Sequence, residues 1–218
     1  LATRAIAALR AIGWAGAPVQ VRIDKRIPVA GGLGGGSADA AAVLRLAEAM
    51  PRAGLEKVAA SLGADVPSQL EPRALLVGGA GERLEPIPAP GRHAIVLVPT
   101  APGLSTADVY AEADRLGAAR SDAEMAEIEQ RLREATANGD SPLSYAELLV
   151  NDLERAALSL RPEIAASLAA LRAEGAAVAM VTGSGPTAFG LFADPEAAQH
   201  AAANIPGSIA TAPAEPGP

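Results

Sequence analysis

The run Pro28-Val-Ala-Gly-Gly-Leu-Gly-Gly-Gly-Ser-Ala38 passes directly into Asp39-Ala-Ala-Ala-Val-Leu-Arg-Leu46, so a glycine-rich loop feeds an Ala/Leu helix. Five glycines between Gly31 and Gly36 remove the Cβ barrier to positive φ. Successive backbone N–H groups can then converge on one point, and a ligand can approach the main chain closely. The helix start adds free N–H donors and the positive end of the helix dipole. Together these favour a phosphate, in the first instance that of a nucleotide. A flexible linker is the competing reading, but the β-branched run Val19 to Ile27 and the helix flank the glycines without Ser/Pro padding.

Two common phosphate loops fail on spacing. A Walker A loop needs a lysine after its last glycine, and here Ser37-Ala38-Asp39 follows. A dinucleotide fingerprint in its nearest phase, Gly32-Leu33-Gly34, meets Ser37 where a third glycine belongs, with no evident acidic partner on a following strand. The string P-x-x-x-G-L-G-G-G-S-x-D-A-A instead resembles the ATP loop of the small-molecule kinase superfamily of galactokinase, homoserine kinase, mevalonate kinase and phosphomevalonate kinase. Leu62-Gly-Ala-Asp-Val-Pro67 is similar to that family's catalytic-aspartate motif, Asn151-Asp-Leu-Glu154 to a helix start and Thr182-Gly-Ser-Gly-Pro-Thr187 to its third glycine loop. Order and spacing agree along nearly the whole chain. The GLGGGS form, with Gly81-Glu-Arg-Leu84 and Leu104-Ser-Thr-Ala-Asp-Val-Tyr110, most resembles the branch acting on 4-diphosphocytidyl-2-C-methyl-D-erythritol.

A chain of 218 residues with 50% hydrophobic residues can bury a sound core in one large or two small domains. A formal charge of −7 argues against a polyanion-binding surface, so no nucleic-acid partner is expected. The absence of cysteine excludes thiol catalysis, disulfides and cysteine zinc sites. His93 and His200 lie far apart in sequence and read as surface or structural residues, so no metal site on protein ligands is expected. No apolar stretch reaches spanning length unbroken, and no signal peptide is evident at the start. A cytoplasmic protein without a membrane partner is the expectation, as monomer or homodimer.

Apolar periodicity predicts a helix over 2–12 and, from Val19, Val21 and Ile23 alternating with Gln20, Arg22 and Asp24, a half-buried strand over 19–27. Helices follow over 39–50 and 55–62, the latter ending at Gly63, which leaves Asp65 in a loop. Short strands are expected over 74–77 and 83–87 around a glycine turn. The Pro/Gly-rich stretch Pro86 to Gly91 marks the expected boundary between domains 1–90 and 91–218. Beyond it, 94–99 reads as a buried strand and 106–116, 121–137, 154–158 and 162–174 as helices. The segments 178–181 and 188–192 read as a hairpin-like pair, 195–203 as a last helix, and Ala214 to Pro218 as a loose tail. The alternation suggests α+β. The resemblance implies a two-domain small-molecule kinase fold, with a partial N-terminal domain like ribosomal protein S5 domain 2 and a ferredoxin-like C-terminal domain.

Phosphoryl transfer to an alcohol requires positioning, neutralisation of phosphate charge and a group that orients or deprotonates the hydroxyl. The resemblance implies ATP with Mg²⁺ as cofactors and a small-molecule substrate phosphorylated on its 2-hydroxyl. The implied ATP loop is Pro28, Val29, Ala30, Gly31, Gly32, Leu33, Gly34, Gly35, Gly36, Ser37 and Ala38. Within it, Ser37 reads both as a contact to phosphate or Mg²⁺ and as N-cap of the following helix. Asp65 reads by composition as a turn aspartate, whereas the resemblance makes it the catalytic base. Gly183, Ser184 and Gly185 read alone as a glycine turn, and the resemblance brings them to the substrate. Asn151 and Asp152 read as a helix N-cap. Lys25 and Arg26 lend positive charge before the loop or are simply solvated.

The family's P-A-K-I-N-L segment, whose lysine pairs with the aspartate, and its D-G-Y-H-x-L segment, which helps hold the cytidine base, do not occur here. The expectation is a fragment lacking its first strands, with an unpaired edge at 19–27 and weak or no kinase activity alone. Another kinase of the superfamily and a non-catalytic nucleotide-binding fragment are the competing readings.

Overall fold

Small apolar residues at helical spacing build the first of two units into which the chain divides. A computed structural model describes residues 1–25, 27–117 and 119–213. The first unit comprises Leu1–Val29 and Gly34–Ile87; the second comprises Ala30–Leu33 and everything from Pro88 onward.

In the first unit, helices α1 (Ala2–Ala11), α2 (Gly35–Arg45) and α3 (Arg52–Leu62) pack mutually, followed by a 3-10 turn over Pro67–Gln69 and the strands β1 (Leu75–Gly78) and β2 (Arg83–Pro86). Ala5, Ala40, Ala41 and Ala59 are fully buried, and their small side chains let the helix backbones approach, while Leu9 and Leu44 fill the space between. The Arg45 guanidinium donates to the Gln69 carbonyl at 2.6 Å and ties the end of α2 to the 3-10 turn. Arg10 lies over the ring of Trp14, 4.8 Å from its centroid. β1 and β2 pair antiparallel, with Leu75 opposite Pro86 and Gly78 opposite Arg83.

Two expectations are corrected in this unit. The segment 19–27 forms no strand over its described residues, and Val19, Val21, Ile23 and Ile27 are exposed. Alternation supplies strand potential, but a strand exists only through a ladder, and here no described strand lies alongside. The helix expected over 39–50 instead runs from Gly35 to Arg45, beginning inside the glycine run. Arg26 lies outside the described residues.

The second unit is built on one antiparallel sheet of strands β3 (Ala94–Val98), β4 (Val178–Val181), β5 (Ala188–Phe192) and β6 (Ile209–Thr211), in spatial order β4-β5-β3-β6. Helices α4 (Thr106–Leu116), α5 (Asp122–Thr136), α6 (Glu154–Leu160) and α7 (Ile164–Ala173), with a 3-10 segment over Pro142–Leu148, lie between β3 and β4. Helix α8 (Pro195–Asn204) joins β5 to β6. Strand, helices, two strands, helix and strand in this order form the ferredoxin-like arrangement, and the unit is α+β. Ala94, Val96 and Val98 alternate toward a core completed by Ala188, Phe192, Ile164, Leu168 and Leu171 of α7, and Ala198 and Ala201 of α8. The 3-10 segment and β6 were not legible in the sequence, and the tail 214–218 lies outside the described residues.

The starts of α4, α5 and α8 are capped by side chains, and those of α6 and α7 are not. Ser121 and Glu124 form a reciprocal capping box on α5, and Asp194 accepts from the Ala197 N–H at 2.9 Å on α8. Val109 and Ala113 of α4 pack on Ala156 of α6. The same pair of helices is joined by Glu112, which accepts from Arg115 and from the Ser159 hydroxyl. The Arg115 guanidinium, and after it Ser159, hold the Glu112 carboxyl down from 4.5 to about 2.

Replacing the fully buried Leu44 by Ala is expected to cost about 2–5 kcal/mol, read from the denaturant midpoint, because the α1–α2–α3 packing cannot close over the lost methyl groups. Glu112 has a depressed folded-state pKa, so its stabilising contribution is complete above 4.5 and is lost as pH falls through about 2. Urea midpoints of the parent chain and Glu112→Gln should therefore stay a constant distance apart above that window and converge within it.

Candidate active site

The glycine run is divided between the two units, and each part has its own geometry. In the first unit, Gly34 adopts the left-handed conformation (φ 64, ψ 8) and serves as N-cap of α2 without any side-chain bond. Its carbonyl accepts from Ser37 N at 2.9 Å and Ala38 N at 3.0 Å. The N–H groups of Gly34, Gly35 and Gly36 make no hydrogen bond to any described residue. They are open donors at the positive end of an 11-residue helix, the arrangement that attracts an anion. Ser37 is not the cap: it sits in the first turn of α2, and its half-buried hydroxyl has no partner among the described residues. Lys25 reaches Asp39 of α2 with Nζ 2.7 Å from Oδ2, so its charge is engaged on the helix rather than simply solvated.

Asp65 stands in the same unit, exposed in the turn after α3. Buried Val66 and Pro67 anchor the chain immediately after it, and its carbonyl accepts from the Ser68 hydroxyl at 2.9 Å. The carboxylate makes no hydrogen bond or ion pair with any described residue. Gly81 (φ +96), in the β1–β2 turn, packs so closely on the Ala64 carbonyl that a Cβ there would overlap it. The turn carrying Asp65 is therefore braced by a hairpin distant in sequence.

In the second unit, Ala30–Leu33 lies against the loop joining β4 to β5. The Thr182 hydroxyl donates to the Gly32 carbonyl at 3.0 Å. Gly32 has φ +72, and a Cβ on it would overlap the Thr182 carbonyl and stand 2.9 Å from that of Gly185. Ala30 is left-handed as well (φ 57), a conformation costing an L-residue about 1–2 kcal/mol. Gly31 is buried, and the N–H groups of Gly31, Gly32 and Leu33 make no hydrogen bond among the described residues.

The β4–β5 loop is held from several directions. Thr182 N donates to the Thr187 carbonyl at 3.0 Å and Gly185 N to the Thr182 carbonyl at 2.9 Å, while Thr106 Oγ1 lies 3.1 Å from Ser184 Oγ. Asn151 was expected as a helix cap, yet the N-cap of α6 is Leu153. Asn151 instead donates from Nδ2 to the carbonyls of Val181 and Gly183, both at 2.8 Å, and Glu154 accepts from the Val181 N–H at 2.8 Å. Asp152 pairs with Arg120. The Asn151-to-Glu154 motif stands out in the sequence; its target, thirty residues on, does not.

Among the described residues, no group of three or more His, Asp or Glu side chains is disposed to hold a metal ion. His93 Nδ1 lies 2.7 Å from the Gly91 carbonyl, a local turn contact. No helix among the described residues is long and apolar enough to cross a membrane.

Gly32→Ala should lower stability by about 1–3 kcal/mol through overlap and strained φ together. Gly34→Ala, where nothing lies within 4 Å of the added carbon, should cost less. Urea unfolding of the two variants tests the ranking.

Comparison with known proteins gives matches over both units. Residues 1–71 match the GHMP kinases N terminal domain and residues 132–208 the GHMP kinases C terminal domain. Among curated relatives, proteins named 4-diphosphocytidyl-2-C-methyl-D-erythritol kinase are 42% identical in Rhizobium johnstonii, over 89% of this chain and 63% of the relative, and 42% identical in Paracoccus denitrificans, over 92% and 68%. The chain thus spans about three fifths to two thirds of the length of the curated relatives it matches. A crystal structure of 4-(cytidine 5'-diphospho)-2C-methyl-D-erythritol kinase aligns with TM-score 0.75 at 35% identity, covering 96% of this chain and 76% of that one. A homoserine kinase from Cytophaga hutchinsonii shares the fold with TM-score 0.68 at 19% identity, over 97% of this chain and 74% of that one.

Proposed function

The chain belongs to the GHMP kinase family, and on that premise we propose that it is an ATP-dependent kinase phosphorylating the 2-hydroxyl of 4-diphosphocytidyl-2-C-methyl-D-erythritol. The observation that carries the reading is the run of unengaged N–H groups at the start of α2, left-handed at Gly34, together with relatives of that name at 42% identity.

In this reading, Pro28 to Ala38 is the ATP loop. The N–H groups of Gly34 to Gly36 and the α2 dipole neutralise triphosphate charge, and the Ser37 hydroxyl meets a phosphate oxygen or Mg²⁺. Mg²⁺ would arrive on the nucleotide, with phosphate oxygens and water as most of its ligands. Asp65 acts as general base. Its exposed carboxylate takes the proton of the substrate hydroxyl as that oxygen bonds to the γ-phosphorus and the bond to the ADP oxygen breaks. Gly183, Ser184 and Gly185 contact the substrate. Division into domains 1–90 and 91–218 belongs to the same proposal.

A coupled ADP-release assay offering 4-diphosphocytidyl-2-C-methyl-D-erythritol, homoserine and mevalonate in parallel tests the substrate, and preference for either of the last two would overturn it. Measured against whatever turnover the parent chain shows, Asp65→Asn should lower kcat by up to about 10²–10⁴-fold while leaving the KM for ATP nearly unchanged. Unaltered kcat would remove the base assignment.

A further inference from the structure

Asn151 uses its whole side chain. Each Nδ2 proton is given to a carbonyl, of Val181 and of Gly183, and Oδ1 accepts from the Leu153 N–H at 3.0 Å. Rotating the amide by half a turn would set its oxygen against two carbonyls, so this orientation is fixed. Glu154, one helical turn on, takes the Val181 N–H. Both backbone groups of the residue that ends β4 are therefore held by one short motif, and the next carbonyl but one is held as well.

That last bond sets a direction. Among the described residues only Ala101–Pro102 and Gly185–Pro186 are cis, so the peptide joining Gly183 to Ser184 is trans and planar. Its C=O and N–H then point oppositely. With the carbonyl turned onto Asn151, the Ser184 N–H faces away from Asn151, and it has no acceptor among the described residues. Gly185 N–H is consumed by Thr182, which leaves the amides of Gly183 and Ser184 as the open donors of this turn. Gly183, at φ +54, has no Cβ to choose between the two orientations of that peptide. A neutral hydrogen bond of this kind shifts such a balance by up to about tenfold.

We infer that Asn151 is a positioning residue that locks the Gly183–Ser184 peptide so that the Ser184 N–H is presented to an anionic oxygen of the substrate. The inference rests on the reading that Gly183 to Gly185 contacts substrate. It gives Asn151 a role in substrate affinity without contact to the substrate itself.

Amide-resolved NMR on the isotopically labelled full chain tests this, with 4-diphosphocytidyl-2-C-methyl-D-erythritol and ATP titrated separately and steady-state constants measured alongside. In the parent chain the Ser184 amide should shift on adding the alcohol substrate. In Asn151→Ala that response should be lost, and the KM for the alcohol should rise about tenfold, while the response of Gly34 to Gly36 to ATP and the KM for ATP stay within twofold. Asn151→Asp separates positioning from packing. It is nearly isosteric and keeps the acceptor for Leu153 but sets an oxygen against two carbonyls, so it should lose as much as the alanine variant. A Ser184 response that survives in both variants, or a loss spread equally over both substrates, overturns the inference while leaving the proposed function standing. If the parent chain itself gives no Ser184 response to the alcohol, the reading of this turn as substrate-binding fails, and the inference falls with it.

Discussion

The approach of the Gly32 main chain to the Thr182–Gly185 turn is the constraint on which the rest of the second unit's loop geometry depends. Such an approach requires a residue without a Cβ, a left-handed backbone and a donor to take the carbonyl, and Gly32 and Thr182 supply all three. Once Gly32 is held there, neighbouring amides have no local acceptor. In most proteins an unpaired main-chain donor is a defect avoided by forming secondary structure. Here the two glycine segments keep donors open by design of the backbone, while side chains such as Asn151 and Glu154 satisfy the adjacent groups.

The scaffolds that support these loops use different means. The first unit relies on alanine at helix contacts, which gives short interaxial distances and little side-chain entropy to lose, and on leucines that fill the gaps. The second relies on an antiparallel sheet whose alternate residues meet two helices. Turn geometry is anchored in both cases by residues beyond the turn: Gly81 under Ala64, and Asn151 under Gly183.

Local periodicity made much of this legible. The pair 178–181 and 188–192 needs only alternation and a glycine turn, and it is found as read, as are the capped helices from Thr106 and Asp122. The α+β class also followed from the alternation of elements, and the kinase family from the resemblance carried by short motifs. What failed was whatever depends on distant partners. Val19 to Ile27 has strand alternation without a ladder. α2 begins at Gly35 because Gly34 adopts the left-handed conformation, whereas low helix propensity made Gly35 and Gly36 read as loop. Asn151 looked like a cap since its neighbours open a helix, and only a fold that returns Gly183 to it reveals the fork.

Trp14 is the sole tryptophan of the chain, and it packs against the core of the first unit beneath Arg10. Both tyrosines, Tyr110 and Tyr145, belong to the second unit. Indole emission therefore reports on the surroundings of the α1–α3 bundle, whereas near-ultraviolet phenol bands report on the sheet unit. The sequence thus carries chromophores in both units, and emission excited at the red edge of the absorption band, where phenol does not absorb, singles out the first unit with no need of an attached label.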